Sequence, residues 1–283
     1  MLKFFRKIHQ KPLSENKFSH KLTIRFILIA ALCLFWSCNT ANKKSKLSKT
    51  HLNTKEVSEE ILSANEQWMN AINTKDLETL KELYVEDIYG LSPNGIDFSD
   101  RDTLISILSN NNFTVKDVNT IKRIKANGKY DYEIGSFKNK SGGLVKYLII
   151  WDTSEEEEKH VLEFLAEADD FSVDLKWIDS QRDEWMRLCN DHNAENLINT
   201  LYSKNTLYYN HKPMVVGREN LIPNYAYMNN SNYELSLSPL IVETVSKTIV
   251  YEIGQCEGSY NGKYILIWQK TDDEWQILFD SNI

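Results

Sequence analysis

Apolar residues recur at three- and four-residue spacing over two stretches of the chain. In the first, Ile61, Leu62, Asn65, Trp68, Met69 and Ile72 fall on one face; in the second, Trp177, Ile178, Gln181, Trp185, Leu188 and Cys189 do. That period predicts an amphipathic helix at each place. A shorter helix follows each, marked by Leu77, Leu80, Leu83 and Tyr84 and by Ala194, Leu197, Ile198, Leu201 and Tyr202. A short strand pair comes next, 88–91 with 96–98 around the turn Ser92 to Gly95, and 206–210 with 214–216 around Pro213. A third short helix begins near Asp102 and again near Glu219. The pattern then switches to runs of β-branched and aromatic residues. They predict strands over 115–124, 129–138, 144–152 and 159–166, and over 233–243, 247–257, 263–270 and 274–280. Asn127-Gly128 and Asn261-Gly262 are hairpin turn signals.

The same order of elements appears twice because the sequence repeats. Trp68-Met69 recurs as Trp185-Met186 at an offset of 117, and Leu83-Tyr84 as Leu201-Tyr202 at 118. The run opening at Arg101 recurs at Arg218, again at 117. Tyr132-Glu-Ile-Gly135 recurs as Tyr251-Glu-Ile-Gly254 at 119, and the strand Lys146 to Trp151 as Lys263 to Trp268 at 117. The drift of one or two residues is that of loop insertions. A period this long is a tandem duplication of a domain, not a solenoid.

Helix, helix, hairpin, helix and a four-strand meander make an α+β class fold, an antiparallel sheet with helices on one face. This order, the helix-one tryptophans, the Gly217 to Leu221 run and the closing Trp275-Gln-Ile277 with Asp280-Ser281 resemble the NTF2-like superfamily, and within it the SnoaL-like group. The first copy departs from the pattern, with Ser99 before Asp100-Arg101 and with Lys159-His160 where a tryptophan is expected. The resemblance implies two tandem cone domains, each a curved antiparallel sheet on three helices with a pocket at the wide end. The expected organisation is domain 1 over 55–166 and domain 2 over 167–283. NTF2-like domains commonly dimerise through the sheet's outer face, so the resemblance also implies a monomeric body with its two domains packed as a pseudo-dimer.

The N-terminus carries a different pattern. Seven basic residues precede an apolar run from Phe26 to Phe35, too short to span a bilayer and the right length for a signal peptide. Ser37-Cys38 follows at once, and the segment resembles a bacterial lipoprotein signal. That resemblance implies cleavage after residue 37, acylation of Cys38, a polar tether over 38–54 and a lipid-anchored, extracytoplasmic place in the cell envelope. The alternative is an uncleaved anchor helix.

Net charge is −7 over 283 residues, but the basic residues crowd the N-terminus. From Lys55 onward there are 22 basic against 39 acidic residues, a net of −17. A body this acidic is a poor binder of nucleic acid. Cys189 and Cys256 are left open between a disulfide and two buried thiols.

Candidate chemistry sits on the strands. In catalytic members of the resembled superfamily a pocket carboxylate moves a proton, aided by tyrosine or a second acid. The strand acids are Glu133, Glu163, Glu252 and Asp280, and the bland reading of each is a solvent-facing side chain. Asp280, Glu252 and His211 are the catalytic candidates. Tyr208 to His211 is the densest polar-aromatic cluster, and Tyr209, His211, Tyr225 and Tyr227 are the ligand-binding candidates. The first copy has Tyr89-Gly90-Leu91 there, so any site is expected in copy two. The histidines show no metal spacing, and no P-loop, dinucleotide fingerprint or nucleophile elbow occurs, so no metal and no cofactor are expected. Because no catalytic constellation emerges, the residues favour a non-catalytic binder of a small apolar ligand or a protein partner. The alternative is a SnoaL-like acid/base enzyme of isomerase, cyclase or dehydratase type in domain 2.

Overall fold

The computed structural model describes residues 63–110, 113–210 and 213–283. Cys38, the signal and tether segments and His211 lie outside the described residues. Among the described residues no helix is long and apolar enough to cross a membrane.

Ser63 opens helix α1 (Ala64–Thr74) with a capping box. Its hydroxyl accepts from the Glu66 backbone N–H at 3.3 Å, and the Glu66 carboxylate accepts from the Ser63 N–H at 2.9 Å. Trp68, Ala71 and Ile72 form the buried stripe. Then come α2 (Leu77–Glu82), β1 (Tyr84–Ser92), β2 (Gly95–Phe98), α3 (Arg101–Asn110), β3 (Lys116–Lys125), β4 (Tyr130–Lys138), β5 (Leu144–Asp152) and β6 (Lys159–Glu167). The second copy is α4 (Lys176–Asn190), α5 (Ala194–Leu201), β7 (Tyr202–Tyr209), β8 (Val215–Val216), α6 (Arg218–Tyr225), a 3-10 turn (Ala226–Asn229), β9 (Leu235–Ser246), β10 (Ile249–Gly258), β11 (Gly262–Thr271) and β12 (Glu274–Ser281). The buried stripe of α4 is Ile178, Arg182, Trp185, Leu188 and Cys189. Trp177, expected on that stripe, is 62% exposed, and an arginine takes the inner position expected of Gln181.

The sheets are not purely antiparallel as expected. Each has six strands, in the orders β2-β1-β6-β5-β4-β3 and β8-β7-β12-β11-β10-β9. The strand after the second helix lies parallel to the last strand, β1 on β6 and β7 on β12. That pairing joins segments far apart in sequence, which local alternation does not encode.

Three layers of buried side chains result. One face of each sheet packs on its own helices. The opposite faces pack on each other: Tyr132, Ile134, Leu148 and Phe164 of the first sheet share one cluster with Tyr251, Ile253, Ile265 and Phe279 of the second. All eight are fully buried. Burying a large apolar side chain is worth about 1.5–3 kcal/mol, so this layer is a core in its own right. Repeat-related tyrosines seal it: the Tyr132 hydroxyl donates to the Ile283 carbonyl at 3.2 Å, and the Tyr251 hydroxyl to the Lys146 carbonyl at 3.2 Å.

Candidate functional site

Strand alternation sends Tyr251 and Ile253 of β10 to the inter-sheet layer and Glu252 to the helix side. The repeated Tyr-Glu-Ile-Gly motif has a use for each remaining position. A Cβ on Gly254 would lie 2.1 Å from the Tyr264 ring, and one on Gly135 2.2 Å from the Tyr147 ring. Glycine therefore lets the cross-strand tyrosine lie over the backbone and reach the neighbouring glutamate. Tyr264 donates to Glu252 at 2.6 Å and Tyr147 to Glu133 at 2.8 Å.

Both glutamates are fully buried, so the solvent-facing reading of the strand acids does not hold. Glu252 accepts from Arg182 Nε at 2.6 Å and Nη2 at 3.1 Å, from Tyr264, and from Trp268 Nε1 at 2.9 Å. Four donors fill the acceptor sites of a carboxylate, so this candidate base is committed to structure. The guanidinium is itself desolvated, yet its bonds to Glu252 and Asp179 hold its pKa above the ordinary value. In copy one Asn65 stands where Arg182 does, donating to Glu133 at 2.8 Å alongside Thr120 at 2.8 Å.

Asp280 is different. It sits near the end of β12, past a bulge between Ile277 and Phe279 that turns Phe279 to the inter-sheet layer and Asp280 to the helix side. It is only 4% exposed, against the expectation of a surface acid. Two tyrosine hydroxyls donate to its Oδ2, Tyr202 at 2.6 Å from the start of β7 and Tyr225 at 2.5 Å from the end of α6. Trp185 of α4 donates to the Tyr202 hydroxyl at 3.0 Å and fixes it. Burial pushes the Asp280 pKa up to about 6, and the two tyrosine bonds hold it back from rising further.

Asp280 lines a cavity together with Trp185, Tyr225, Tyr227, Met228, Tyr233, Leu235, Leu237, Cys256, Tyr260, Tyr264, Leu266 and Asn282. The space open to the centres of water-sized groups is ≈ 20 Å³, and the cavity is partly open to solvent. A water needs about 10–15 Å³ by that measure, so the closed pocket admits one or two water-sized groups. Its mouth is aromatic: Tyr227, 47% exposed, stacks on Tyr225 at 6.0 Å and meets Tyr233 edge-on at 5.3 Å. Burial raises the pKa of Tyr225, Tyr227 and Tyr233, and of Cys256 to about 12.

Copy one has the same layout with an aromatic cluster at the equivalent place. Glu163 pairs across the strands with Ile149 as Asp280 does with Leu266. Trp68 donates to Tyr84 at 2.5 Å, repeating Trp185 and Tyr202. Glu163, however, is taken by the Nδ1 of buried His160. Phe137 stands at the repeat position of Cys256, packed edge-on against Trp68 at 5.8 Å and Phe113 at 5.9 Å.

Of the proposed ligand residues, Tyr225 and Tyr227 come together with Asp280 at the cavity. Tyr209 does not: it lies on the other face of β7, in the inter-sheet layer, 5.9 Å from the Tyr89 ring. One step along the strand reverses the face, and Tyr208 is the member on the helix side, donating to Asn282 at 3.0 Å. Sequence reasoning missed Tyr202, Arg182 and Tyr264. The repeat held the signal for Tyr202, since Trp68/Trp185 and Tyr84/Tyr202 recur as pairs and those pairs are bonded to each other. Cys189 and Cys256 are free thiols, the former 3.7 Å from Met228 Sδ. Among the described residues no group of three or more His, Cys, Asp or Glu is placed to hold a metal ion.

In each copy three helices pack on a mixed sheet, the first strand lies parallel beside the last, and the last strand carries a buried acid. Both copies have the element order and the four-strand meander that the sequence resemblance to NTF2-like proteins implies. No family model matches the sequence, and no curated protein matches it. Among solved structures the chain is similar to an NTF-2 like protein of unknown function from Shewanella oneidensis MR-1, at 14% identity over 39% of this chain and 98% of that one, TM-score 0.35. It is similar to an NTF2-like protein from Cytophaga hutchinsonii ATCC 33406, at 17% identity over 37% and 92%, TM-score 0.32. A ketosteroid isomerase-like protein from Erwinia carotovora atroseptica SCRI1043 matches at 16% identity over 40% and 98%, TM-score 0.34.

Proposed function

We propose that this is a lipid-anchored, extracytoplasmic binding protein in which the second NTF2-like domain holds a small, largely apolar ligand and the first is structural. The observation that carries the binding reading is Asp280, buried at an aromatic cavity and gripped by Tyr202 and Tyr225. Ligand pockets are mostly apolar with a few placed polar groups, and this one has that make-up. The aromatic packing around Phe137, where domain 2 has Cys256, supports a structural role for domain 1.

Substituting Cys256→Phe tests it, because the change gives domain 2 the residue that occupies the interior of domain 1. With benzyl alcohol as probe, amide NMR shifts of Tyr225, Tyr227 and Asn282 are expected to move and saturate, and to stay still in the variant. Shifts that persist unchanged in the variant would place binding elsewhere. The anchor rests on Phe26 to Cys38. Replacing Cys38→Ser is expected to abolish fatty-acyl labelling in a bacterial host; labelling that survives would rule the anchor out.

An acid/base enzyme is the second reading, and one observation favours it. A carboxyl brought to about 6 by burial is poised to carry a proton near neutral pH.

A further inference from the structure

We propose that the ligand of the domain 2 cavity is a primary amine, bound as its ammonium ion against Asp280 with an apolar tail in the tyrosine-lined cleft. This rests on the binding reading above and adds the ligand's charge and head group.

Charge is the first argument. Among the described residues lining the cavity Asp280 is the sole charged one, and none of these is Lys, Arg or His. An anionic ligand would meet a buried acid with no offsetting cation among the described lining residues, a repulsion that is strong where water is excluded. The chain from Lys55 onward carries −17, and such a field raises the local concentration of cations at a cleft.

Size is the second. A space of ≈ 20 Å³ for water-sized centres suits a head group no bigger than one or two waters. A primary ammonium has about that size; a carboxylate, phosphate or trimethylammonium is larger. The cavity is partly open to solvent, so a tail would extend outward along its tyrosine-lined mouth.

Hydrogen bonding is the third. Tyr202 and Tyr225 donate to one oxygen of Asp280 and thereby hold an acceptor-only carboxylate in place. A carboxylate has about four lone-pair sites, so it retains capacity for further donors, and an ammonium supplies three. Tyr225, which lines the cavity, has spent its hydrogen on Asp280, so its oxygen can act only as an acceptor there. The rings of Tyr225, Tyr227, Tyr233, Tyr260 and Trp185 line the cavity and supply aromatic surface of the kind cations favour.

The test is a three-way comparison on the full chain by NMR titration at pH 7.5, using benzylamine, benzyl alcohol and benzoate. These share a ring and differ in the head group. Benzylamine is expected to bind at least tenfold more tightly than benzyl alcohol, and benzoate not at all. The preference should vanish in Asp280→Asn, whose fold is checked by its amide spectrum. It should also vanish in the wild-type chain as pH falls from 7.5 to 5. The groups facing Asp280 are Tyr202 and Tyr208 of β7, Tyr225 of α6, Tyr227 of the 3-10 turn and Cys256 of β10, and burial raises the pKa of every one. None of them changes charge over that range. Equal or tighter binding of benzyl alcohol or benzoate would overturn the amine and leave the binding site standing. If no probe binds, the amine and the binding reading fall together.

Discussion

Replacing Arg182→Met is expected to destabilise the chain by about 3–5 kcal/mol, the usual loss when one member of a buried ion pair is removed. Arg182 is 4% exposed and Glu252 is fully buried, so the carboxylate left behind keeps no counter-charge and cannot reach water. Tyr264 and Trp268 would still donate to it, but two neutral donors do not replace a bidentate guanidinium. The second substitution sharpens the test. In Arg182→Met with Glu252→Gln the buried charge is gone, while the side-chain carbonyl still accepts from Tyr264 or Trp268. At least half of the lost stability should return. Urea denaturation midpoints measure both. A loss below about 1 kcal/mol in the single variant would mean that Glu252 is hydrated and the described pair does not hold the domain.

The second large effect is a pH dependence of stability centred on Asp280. Its folded pKa is raised from 3.8 to about 6 by burial. The native state therefore takes up a proton more readily than the unfolded chain. That contribution favours folding, is fully present below pH 4, and is lost as the pH rises through 6. At one unit of pKa to about 1.4 kcal/mol, holding the ionised form buried costs about 2–3 kcal/mol at neutral pH. Asp280→Asn keeps an acceptor for Tyr202 and Tyr225 and does not titrate. The stability of the wild-type chain relative to this variant should fall by about 2–3 kcal/mol between pH 4 and pH 7. Parallel profiles for the two would show that Asp280 titrates alike in both states. A site that costs stability at neutral pH is what a binding or reacting acid looks like.

Much of this architecture is legible in the sequence because the sequence is written twice. The recurring Trp, Tyr and Tyr-Glu-Ile-Gly positions mark the fixed points of each domain, and period-two and period-3.6 patterns mark the elements between them. What the pattern does not hold is partnership across distance. The parallel pairing of β1 with β6 and of β7 with β12 depends on how the sheet wraps, not on the strands' own alternation. Buried polar residues mislead for the same reason. Arg182 reads as surface by type, yet Glu252 draws it inward; Glu252 reads as surface until Arg182, Tyr264 and Trp268 are seen around it. Each makes sense only with its partner, some seventy residues away in the case of Arg182.

The site was half visible. Asp280, Tyr225 and Tyr227 stand out as acid and aromatics near the end and middle of copy two, and the fold collects them. Tyr209 shows the limit. A run of two tyrosines on a strand must divide between faces, and nothing in the pair itself says which one turns to the helices. Tyr208 does, because Tyr209 is needed in the layer between the sheets. The difference between copies is also a matter of single positions. Phe137 against Cys256 and His160 beside Glu163 set the packing of copy one apart from the cavity of copy two.

The central claim is that Asp280 lies buried at the domain 2 cavity as an ionisable anchor, with Tyr202 and Tyr225 bonded to it. Its side-chain carboxyl carbon, followed by NMR in a pH titration of the native chain, tests this most directly. The carboxyl is expected to titrate at about 6. A midpoint near 4, that of a solvated aspartate, would contradict the account.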